Sequence, residues 1–413
     1  MEKRATWGGG LPNAATIVLE PLGTEASNAL VGGLLDGDVP LDLGTRLVEL
    51  AEGNPLFVEE IVRMLVDRGV LRVSDGRWDV AGAVDQLEIP GSVQAVLAAR
   101  LDTLPPEEKR VAQDAAVVGR IFWDVIVAHL AGSERHPTHE LIRRLRVKDL
   151  VVQRSPSSLA DAAEFGFRHV LIRDVAYDSL PKRDRSRLHR DIALWAEAEL
   201  ADRIDEFSEL IAGHLASALV YEEEFTNDPA ELREIRVLTY AAAKRAAQRA
   251  SAMSQFDASD RWLRLALDLA REVDAPAREF AELTAAFAAV AWQTADPAEV
   301  APTLTRASDA LRPVMDDSEE DRLLLADLRD KRASAMFGQD DVERARAELR
   351  DAIGELAPGP PSHARALLLN RLGWTYWRAG STEEAVPLIE RAITEAEASD
   401  ADDVLRWAKH EMG

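Results

Sequence analysis

Residues 366–393 read ALLLNRLGWTYWRAGSTEEAVPLIERAI, which is two helix-like halves on either side of Gly380. Large side chains dominate the first half, whereas the second half carries alanines at a helical spacing. Small residues allow two helices to approach closely where they cross, because the interaxial distance depends on the side chains at the contact. The stretch therefore predicts a packed helix pair with its small residues at the crossing.

The spacing matches the tetratricopeptide pattern, a unit of about 34 residues that begins here at Ala366. The matching positions are Leu369, Leu372, Gly373, Tyr376, Gly380, Ala385, Ile389 and Ala392. Weaker copies place the small residue of the second helix at Ala266, Ala310 and Ala352. The steps between these positions are 44 and 42 residues, and a further step of 40 residues leads to Ala392. Residues 204–413 are thus predicted to form an α-superhelix of tetratricopeptide-like repeats, which is interpreted as truncated because no polar capping helix precedes its end.

Upstream of the repeats, the sequence predicts further helices and a few short strands. Residues 1–22 contain one strand-like run, at 16–19, which has no strand to pair with and indicates that the chain begins inside a larger domain. Residues 23–90 are predicted as helices with a small hairpin, and residues 91–203 as helices followed by two strands joined by a polar segment. This last order is typical of a winged helix with a small β wing. The predicted fold class is mainly α.

The composition excludes several classes of protein. The 413 residues carry 49 Lys and Arg against 73 Asp and Glu, a formal net charge of −24, which argues against a nucleic-acid coat protein or a polybasic membrane binder. The absence of cysteine excludes disulfides, thiolate zinc sites and cysteine nucleophiles. No apolar run approaches the roughly 18–20 residues of a membrane span, and the N-terminus lacks a signal-peptide pattern. We therefore expect a cytoplasmic protein without membrane contact.

Three runs of sequence, in a fixed order, point to one family. They are residues 48–65 (VELAEGNPLFVEEIVRML), 115–122 (AAVVGRIF) and 167–177 (FRHVLIRDVAY). Together they resemble the C-terminal half of bacterial signal transduction ATPases with numerous domains, as found fused to class III adenylate or guanylate cyclase domains or to LuxR-type domains. The resemblance implies that residues 1–22 are the remnant of an ATPase core, that residues 23–90 are its helical lid, and that the repeats are a sensor.

The resemblance also implies a set of nucleotide-contacting residues. Gly53, Asn54 and Pro55 match the part of the lid that lies against the adenine, and His169 matches a winged-helix histidine that approaches the phosphates of ADP. A proline ring offers a flat apolar surface, and a histidine supplies charge to phosphate oxygens. On the residues alone, the first three positions are also typical of a turn that starts a helix, and His169 of a buried, hydrogen-bonded histidine.

No catalytic or metal-binding motif accompanies these positions. The chain lacks Gly-x-x-x-x-Gly-Lys-Ser/Thr, and the glycines at 8–10 precede a strand-like run instead of following one. ATP or ADP with magnesium is therefore expected only in the complete family protein, with no cofactor in this chain itself. His136 and His139 flank Pro137, which we expect to preclude a helical spacing suited to a metal site.

One segment is basic although the chain is acidic. Arg135–Arg190 holds 13 Lys and Arg against 7 Asp and Glu. Within it, the helix that would be the recognition helix of the winged fold carries Arg143, Arg144, Arg146 and Lys148. These cations fit either DNA phosphates or an interdomain face that pairs with acidic modules or a nucleotide. Because winged helices of this family serve between domains, nucleic acid is not the expected partner.

These observations lead to one functional hypothesis and two alternatives. The chain is interpreted as the regulatory, protein-interaction segment of a nucleotide-operated signalling ATPase, which relays a signal from a protein or small-molecule ligand in the repeats to an ATPase core and an output domain. The alternatives are the regulatory part of an adenylate or guanylate cyclase, and a LuxR-type transcriptional regulator lacking its DNA-binding domain. Within the repeats, Trp374 and Tyr376 cannot share a helix face, so one of them is expected to line the groove.

Overall fold

A computed structural model describes residues 20–35, 47–74, 77–80, 90–294, 297–316, 318–356 and 359–412. The chain divides into two compact units, Met1–Arg185 and Ser186–Gly413. The strand predicted at 16–19 lies outside the described residues. The finer division of the first unit into a core remnant, a lid and a winged helix stays a prediction.

The first unit is built from short helices with two small sheets. Its elements are α1 Thr24–Leu35, α2 Pro55–Asp67, β1 Leu71–Ser74, β2 Arg77–Val80, α3 Val93–Asp102, α4 Pro106–Val118, β3 Ile121–Trp123, α5 Asp124–Leu130, α6 Arg135–Val147, β4 Val151–Arg154, β5 Glu164–Phe167 and α7 Val170–Asp178. Residues 47–51 are also helical, and α8, Lys182–Glu199, begins in this unit. The predicted hairpin is confirmed, since β1 and β2 pair antiparallel with Leu71 opposite Val80.

The second sheet of this unit has three antiparallel strands in the order β3-β5-β4. Phe122 of β3 and Phe165 of β5 are opposite each other and fully buried, with ring centroids 5.9 Å apart. The sequence predicted β4 and β5 but missed β3. Three residues are too few to show a strand period, and the backbone of β3 becomes a strand only by pairing with β5.

The helix α6 corrects one expectation. Pro137 does not interrupt a helix there, because it occupies the first turn of α6, where the proline nitrogen would have no intrahelical partner in any case. His139 is therefore helical, and its Nδ1 lies 3.0 Å from the Oδ2 of the buried Asp124.

Every regular element in the described residues of the second unit is a helix, and all but the 3₁₀ helix Ala201–Arg203 are α-helices. After the remainder of α8 come α9 Ser208–Phe225, α10 Pro229–Ala252, α11 Phe256–Ala270, α12 Ala277–Thr294, α13 Pro297–Leu311, α14 Glu319–Gly338, α15 Val342–Leu356, α16 His363–Arg378, α17 Thr382–Ala398 and α18 Asp402–Met412. Consecutive helices pack as αα-hairpins around a core rich in alanine. The chain is mainly α and forms a tetratricopeptide-like array, as the sequence predicted.

The crossing of α16 and α17 explains the pattern from which the fold was predicted. A Cβ atom added at Gly373 would lie 2.6 Å from Cγ1 of Ile389 and 3.4 Å from the carbonyl oxygen of Ala385. Ala385 and Ala392 are fully buried on the facing helix. A glycine is required here because the two backbones come closer than a side chain permits.

The earlier repeats confirm two of the three weaker positions and correct the third. Ala266 and Ala352 are buried, and each is the eleventh residue of its helix, as Ala392 is of α17. In α13 that position is Ala307, which is fully buried, whereas Ala310 is only partly buried. The linkers between the repeats differ in length. Spacing the repeats by nearly equal steps therefore placed the predicted small residue three positions, or almost one helical turn, too late.

Candidate functional site

The Gly53-Asn54-Pro55 turn is fixed by a contact with the segment that precedes α1. Gly53 is buried at φ +75°, and its carbonyl oxygen accepts a hydrogen bond of 2.8 Å from the Leu22 amide. A Cβ atom at Gly53 would lie 2.4 Å from the carbonyl oxygen of Leu22, so any other residue would displace this segment. Both the backbone conformation and the close approach require glycine.

The next two residues begin α2 and stay accessible. Asn54 is the N-cap, and its Oδ1 accepts from the Phe57 amide at 3.3 Å, while Pro55 occupies the first helical position. Both residues are exposed. The turn therefore has the geometry of a helix start, and it leaves the Pro55 ring open to a ligand.

His169 is the N-cap residue of α7, and its side chain makes no cap hydrogen bond. The residue is partly buried, and its Nε2 is a buried atom with no hydrogen-bond partner among the described residues. The adjacent Arg168 approaches Glu59 of α2, with Nη2 and Oε1 3.9 Å apart. The structure thus places the chain next to His169 against the helix that Pro55 starts.

An ionic cluster of Glu59, Arg63, Asp149 and Arg168 joins these elements. Arg63 lies 2.6 Å from both Glu59 and Asp149, and Arg168 lies 3.0 Å from Asp149. Burial of the Arg63 guanidinium opposes its charge, but the Asp149 and Glu59 carboxylates outweigh that cost and raise the pKa of Arg63. The cluster connects α2 to the turn after α6 and to the start of α7.

A buried ion pair reinforces the same connection. Arg100 of α3 pairs with the fully buried Glu60, and its Nε also lies 3.1 Å from Asp67. The Arg100 Nη2 donates to the carbonyl oxygen of Lys148 at 3.0 Å. The sequence did not predict this ion pair. The helical periodicity of α2 shows which residues share a face, but it does not show that Glu60 contacts an arginine 40 residues further along the chain.

The four cations of the proposed basic face all have partners within the first unit. Arg143 pairs with Glu140 at 3.0 Å, and Arg146 donates to the Gln153 side chain at 2.7 Å. Both remaining cations converge on the buried Glu108 of α4. The Lys148 ammonium lies 2.6 Å and the Arg144 guanidinium 4.0 Å from its carboxylate. Much of the positive charge of α6 is therefore compensated internally.

The second unit contains a groove lined by α12, α14 and α16, the first helices of three successive pairs. One part is an acidic pocket of about 510 Å³, lined by Arg278, Glu282, Glu320, Leu323, Leu324, Asp327, His363, Leu367 and Asp403. The other part is the Trp374 pocket, about 400 Å³, lined by Ala289, Asp330, Lys331, Ser334, Phe337, Gly338, Arg371 and Trp374. The volumes of both parts fall in the range of roughly 300–1,000 Å³ that is typical of ligand pockets.

The Trp374 pocket is held in shape by a stacked guanidinium. Arg371 binds the Asp330 carboxylate through two nitrogens, at 2.6 and 3.1 Å. The same guanidinium carbon lies 5.3 Å from the Trp374 ring centroid and 4.5 Å from that of Trp407. Tyr376 instead stacks on Arg346 of α15, at 3.9 Å. This confirms that only one of the two neighbouring aromatic residues lines the groove.

A third cavity, the Lys244 pocket, continues the surface toward α10. It measures about 480 Å³, and Glu282 lines both this cavity and the acidic pocket. Lys244 pairs with Glu279, which also accepts a hydrogen bond of 2.8 Å from the Tyr240 hydroxyl. Burial lowers the pKa of Lys244, whereas burial and the charge of Glu282 raise the pKa of Tyr240 to about 12. Tyr240 is therefore a neutral hydrogen-bond donor.

Across the described part of the chain, no group of three or more histidine, aspartate or glutamate residues is arranged to hold a metal ion. Within those same ranges, no helix has both the length and the apolar character needed to cross a bilayer.

Comparison with known proteins gives likenesses in structure. No family model matches the sequence, and no curated protein does. A Signal Transduction ATPase with Numerous Domains (STAND) protein with a tetratricopeptide repeat sensor, from Pyrococcus horikoshii, is 11% identical with a TM-score of 0.34; the match covers 94% of this chain and 62% of that one. This chain thus spans less than two thirds of the STAND protein.

Two other solved structures show how general the likeness is. A Rap protein complexed with competence and sporulation factor is 12% identical, with a TM-score of 0.33 over 94% of this chain and 80% of the other. The kinesin light chain-like repeats of Podosopora anserina are 14% identical, with a TM-score of 0.35 over 51% of this chain and 96% of theirs. Similarities at this level carry no functional conclusion for this chain.

Proposed function

We propose that this chain is the regulatory, ligand-sensing segment of a nucleotide-operated signalling ATPase. In this proposal the repeat unit binds a protein or small-molecule ligand, and the first unit relays that event to an ATPase core and an output domain. The observation that carries the proposal is the groove of α12, α14 and α16. It is lined by charged, aromatic and unpaired polar side chains where a purely structural array needs none.

The first unit supports the relay part of the proposal. From α4 to β5 its elements follow the order helix, strand, helix, helix, strand, strand, and the sheet order β3-β5-β4 brings the first strand beside the last. This is the order of a winged helix, which we propose for the unit. The buried Arg100–Glu60 pair ties this module to α2, so that a displacement of one moves the other.

For the nucleotide, we propose contact without hydrolysis. Pro55 presents an exposed ring at the start of α2, and the unpaired Nε2 of His169 is suited to a phosphate oxygen. These residues fit an ATP or ADP whose phosphates and magnesium are held by the core of the complete protein. The core would supply the amide cradle and the metal, and this chain would supply the lid contacts of Gly53, Asn54, Pro55 and His169.

Calorimetric titration of the chain with ATP and magnesium tests the nucleotide part. We expect affinity no tighter than about millimolar, because the sequence offers no amide cradle or lysine for the triphosphate. Micromolar affinity would contradict the proposal that the chain contributes only accessory contacts.

Ligand sensing is tested with a blocked groove. Ala289 is exposed on α12 and lines the Trp374 pocket, so Ala289→Trp should fill that pocket and abolish thermal stabilisation by any groove ligand in a screen of peptides, metabolites and nucleotides. Ala347→Trp, at an exposed alanine of α15 that lines none of the three cavities, is the matched control. If ligands of every class stabilise both variants equally, or none stabilises the unaltered chain, the sensing proposal fails.

The output domain that we propose is a nucleotide cyclase or a LuxR-type DNA-binding domain. Coding sequence in frame with residues 1–413 distinguishes the two, since a cyclase domain would favour the first and a helix-turn-helix the second.

A further inference from the structure

We infer that the groove binds an extended peptide that carries a basic side chain. One peptide group of the ligand would enter the Trp374 pocket beside Ser334 and Asn370, and the cationic side chain would pair with Glu282. This inference rests on the proposed sensing function and names the chemical class of its ligand.

The acidic pocket and the Trp374 pocket are two ends of one groove. On α12, Glu282 lines the first and Ala289 the second. On α14, Asp327 lines the acidic pocket and Asp330 lines the Trp374 pocket. On α16, Leu367 lines the acidic pocket and Arg371 lines the Trp374 pocket. All three helices thus present earlier residues to one pocket and later residues to the other, so a ligand lying along them contacts both.

Unpaired polar groups mark the Trp374 end of the groove. Ser334 lines the pocket and is only 8% exposed, and its Oγ has no hydrogen-bond partner among the described residues. Asn370 is fully buried, and both atoms of its carboxamide lack a partner within those residues. It lies three residues after Leu367 and four before Trp374, on the helix stripe that lines both pockets.

The chemistry of these groups selects the ligand. A carboxamide offers a donor and an acceptor side by side, which is the complement of one peptide group. A buried polar group without a partner is costly, so its retention at this place indicates that something supplies the missing hydrogen bonds. Because Asn370 is fully buried in the free chain, a ligand reaches its carboxamide only after neighbouring side chains move.

The charge of the groove selects the side chain. The three cavities are lined by six carboxylates and four Lys or Arg side chains. Each of the four cations already has a carboxylate partner, in the pairs Lys244–Glu279, Arg278–Asp321, Lys331–Asp327 and Arg371–Asp330. Glu282 is exposed, and its carboxylate forms no salt bridge among the described residues, although its charge also acts on Lys244. The groove therefore disfavours phosphates and offers one free carboxylate to a cation.

The spacing agrees with an extended chain. Glu282 and Ala289 are seven residues apart on α12, which is about 10 Å along a helix axis. An extended peptide covers that distance in about three residues. The basic residue and the bound peptide group are thus expected about three positions apart.

The test uses the full chain and a hexapeptide library with a single lysine at each position in turn. Binding is measured by thermal shift and by Trp fluorescence. Two control ligands are included: spermidine, which is a cation without peptide groups, and ATP, which is an anion. We expect lysine peptides to bind, ATP not to bind, and Glu282→Gln to weaken the lysine peptides at least tenfold while leaving lysine-free peptides unchanged. Glu383→Gln, at an exposed carboxylate of α17 outside the groove, should change nothing.

The Asn370→Leu variant separates ligand recognition from structure. We expect it to weaken all peptides at least tenfold and to raise the melting temperature of the free chain, since an unpaired amide is replaced by an apolar group of similar size. Ser334→Ala should give a smaller loss of binding in a chain that folds normally.

Several results would overturn the inference. Binding unchanged in Asn370→Leu and Ser334→Ala, with a lower melting temperature in the former, would mean that buried water alone serves these groups. Spermidine binding as tightly as the peptides would show a simple cation site. Binding of another ligand class that Ala289→Trp blocks would overturn the peptide inference and leave the sensing function intact, whereas no groove-dependent ligand at all would remove both.

Discussion

Different kinds of contact stabilise the interior of each of the two units. In the first, charged side chains from distant elements meet, as Arg100 meets Glu60 and Arg63 meets Asp149. In the repeat array, small side chains let helices cross closely, as Gly373 does against Ile389, and many charges are left to line a groove. This difference fits the proposed roles, because a relay module requires couplings between its elements, whereas a sensor requires a stiff scaffold with polar side chains open to a ligand.

The largest expected effect comes from breaking the buried coupling of the first unit. Glu60→Ala leaves the buried Arg100 guanidinium without its main partner, and we expect a loss of about 3 kcal/mol in the free energy of unfolding. Hydrogen exchange of α2 and α3 should rise, and denaturant unfolding should report the loss.

Two variants serve as controls for that prediction. Glu59→Ala, on the same helix but partly exposed, should cost less than about 1 kcal/mol. The double variant Glu60→Leu and Arg100→Leu should recover most of the stability, because no charge is then left buried alone. Equal losses in the two single variants would show that burial of the pair is unimportant.

A smaller loss is expected from filling the helix crossing of the repeat unit. Gly373→Ala places a Cβ atom 2.6 Å from Ile389, and we expect a cost of about 1–3 kcal/mol from overpacking. Thermal unfolding measures the effect, and Ile389→Val in the same chain should relieve part of it.

Gly354→Ala is the matched control for this crossing. Gly354 is exposed on α15, where an added Cβ atom meets nothing within 4 Å, so alanine should stabilise the helix by about 0.5–1 kcal/mol. If both alanine substitutions stabilise the chain, the close crossing does not require glycine.

A smaller effect, of pH on stability, is expected in the first unit. Hydrogen bonds from Ser158 outweigh burial and, together with Arg154, lower the pKa of the Glu164 carboxyl. Since the folded pKa lies below the unfolded value, the stabilisation is present above the unfolded pKa and is lost as the pH falls through the folded pKa. The free energy of unfolding is measured from pH 7 to pH 3. We expect it to fall less steeply with decreasing pH in Glu164→Gln than in the unaltered chain.

The smallest effect is expected with nucleic acid. Because Arg143, Arg144, Arg146 and Lys148 have partners within the unit, the chain should give no salt-sensitive electrophoretic shift of duplex DNA at micromolar concentration. A shift that weakens with salt and disappears in Arg143→Gln would contradict the compensation of this face.

Much of the fold was accessible from the sequence because it rests on local period and spacing. The Gly373 and Ala385 positions predicted a helix crossing, and the Gly53-Asn54-Pro55 turn predicted the start of a helix, which the structure confirms as α2. The strand β3 and the position of Ala307 were missed. Both depend on partners or linker lengths that no local window contains.

The candidate site was accessible only in part. The sequence identified the Gly53 turn, and it predicted that either Trp374 or Tyr376 lines the groove. It gave no signal for the unpaired Ser334 and Asn370 or for the exposed Glu282 carboxylate in the groove. Whether a polar group has a partner depends on the side chains that surround it in space, and a one-dimensional pattern contains no such information.

By itself, the sequence determined the helical class, the repeat array and the lack of cysteine chemistry, because these follow from residue type and from periods of a few residues. The tertiary structure alone decided which charged side chains form internal ion pairs and which line the groove. The physical reason is that ion pairing and desolvation depend on distances of a few ångströms between residues far apart in the chain, and only the folded arrangement sets those distances.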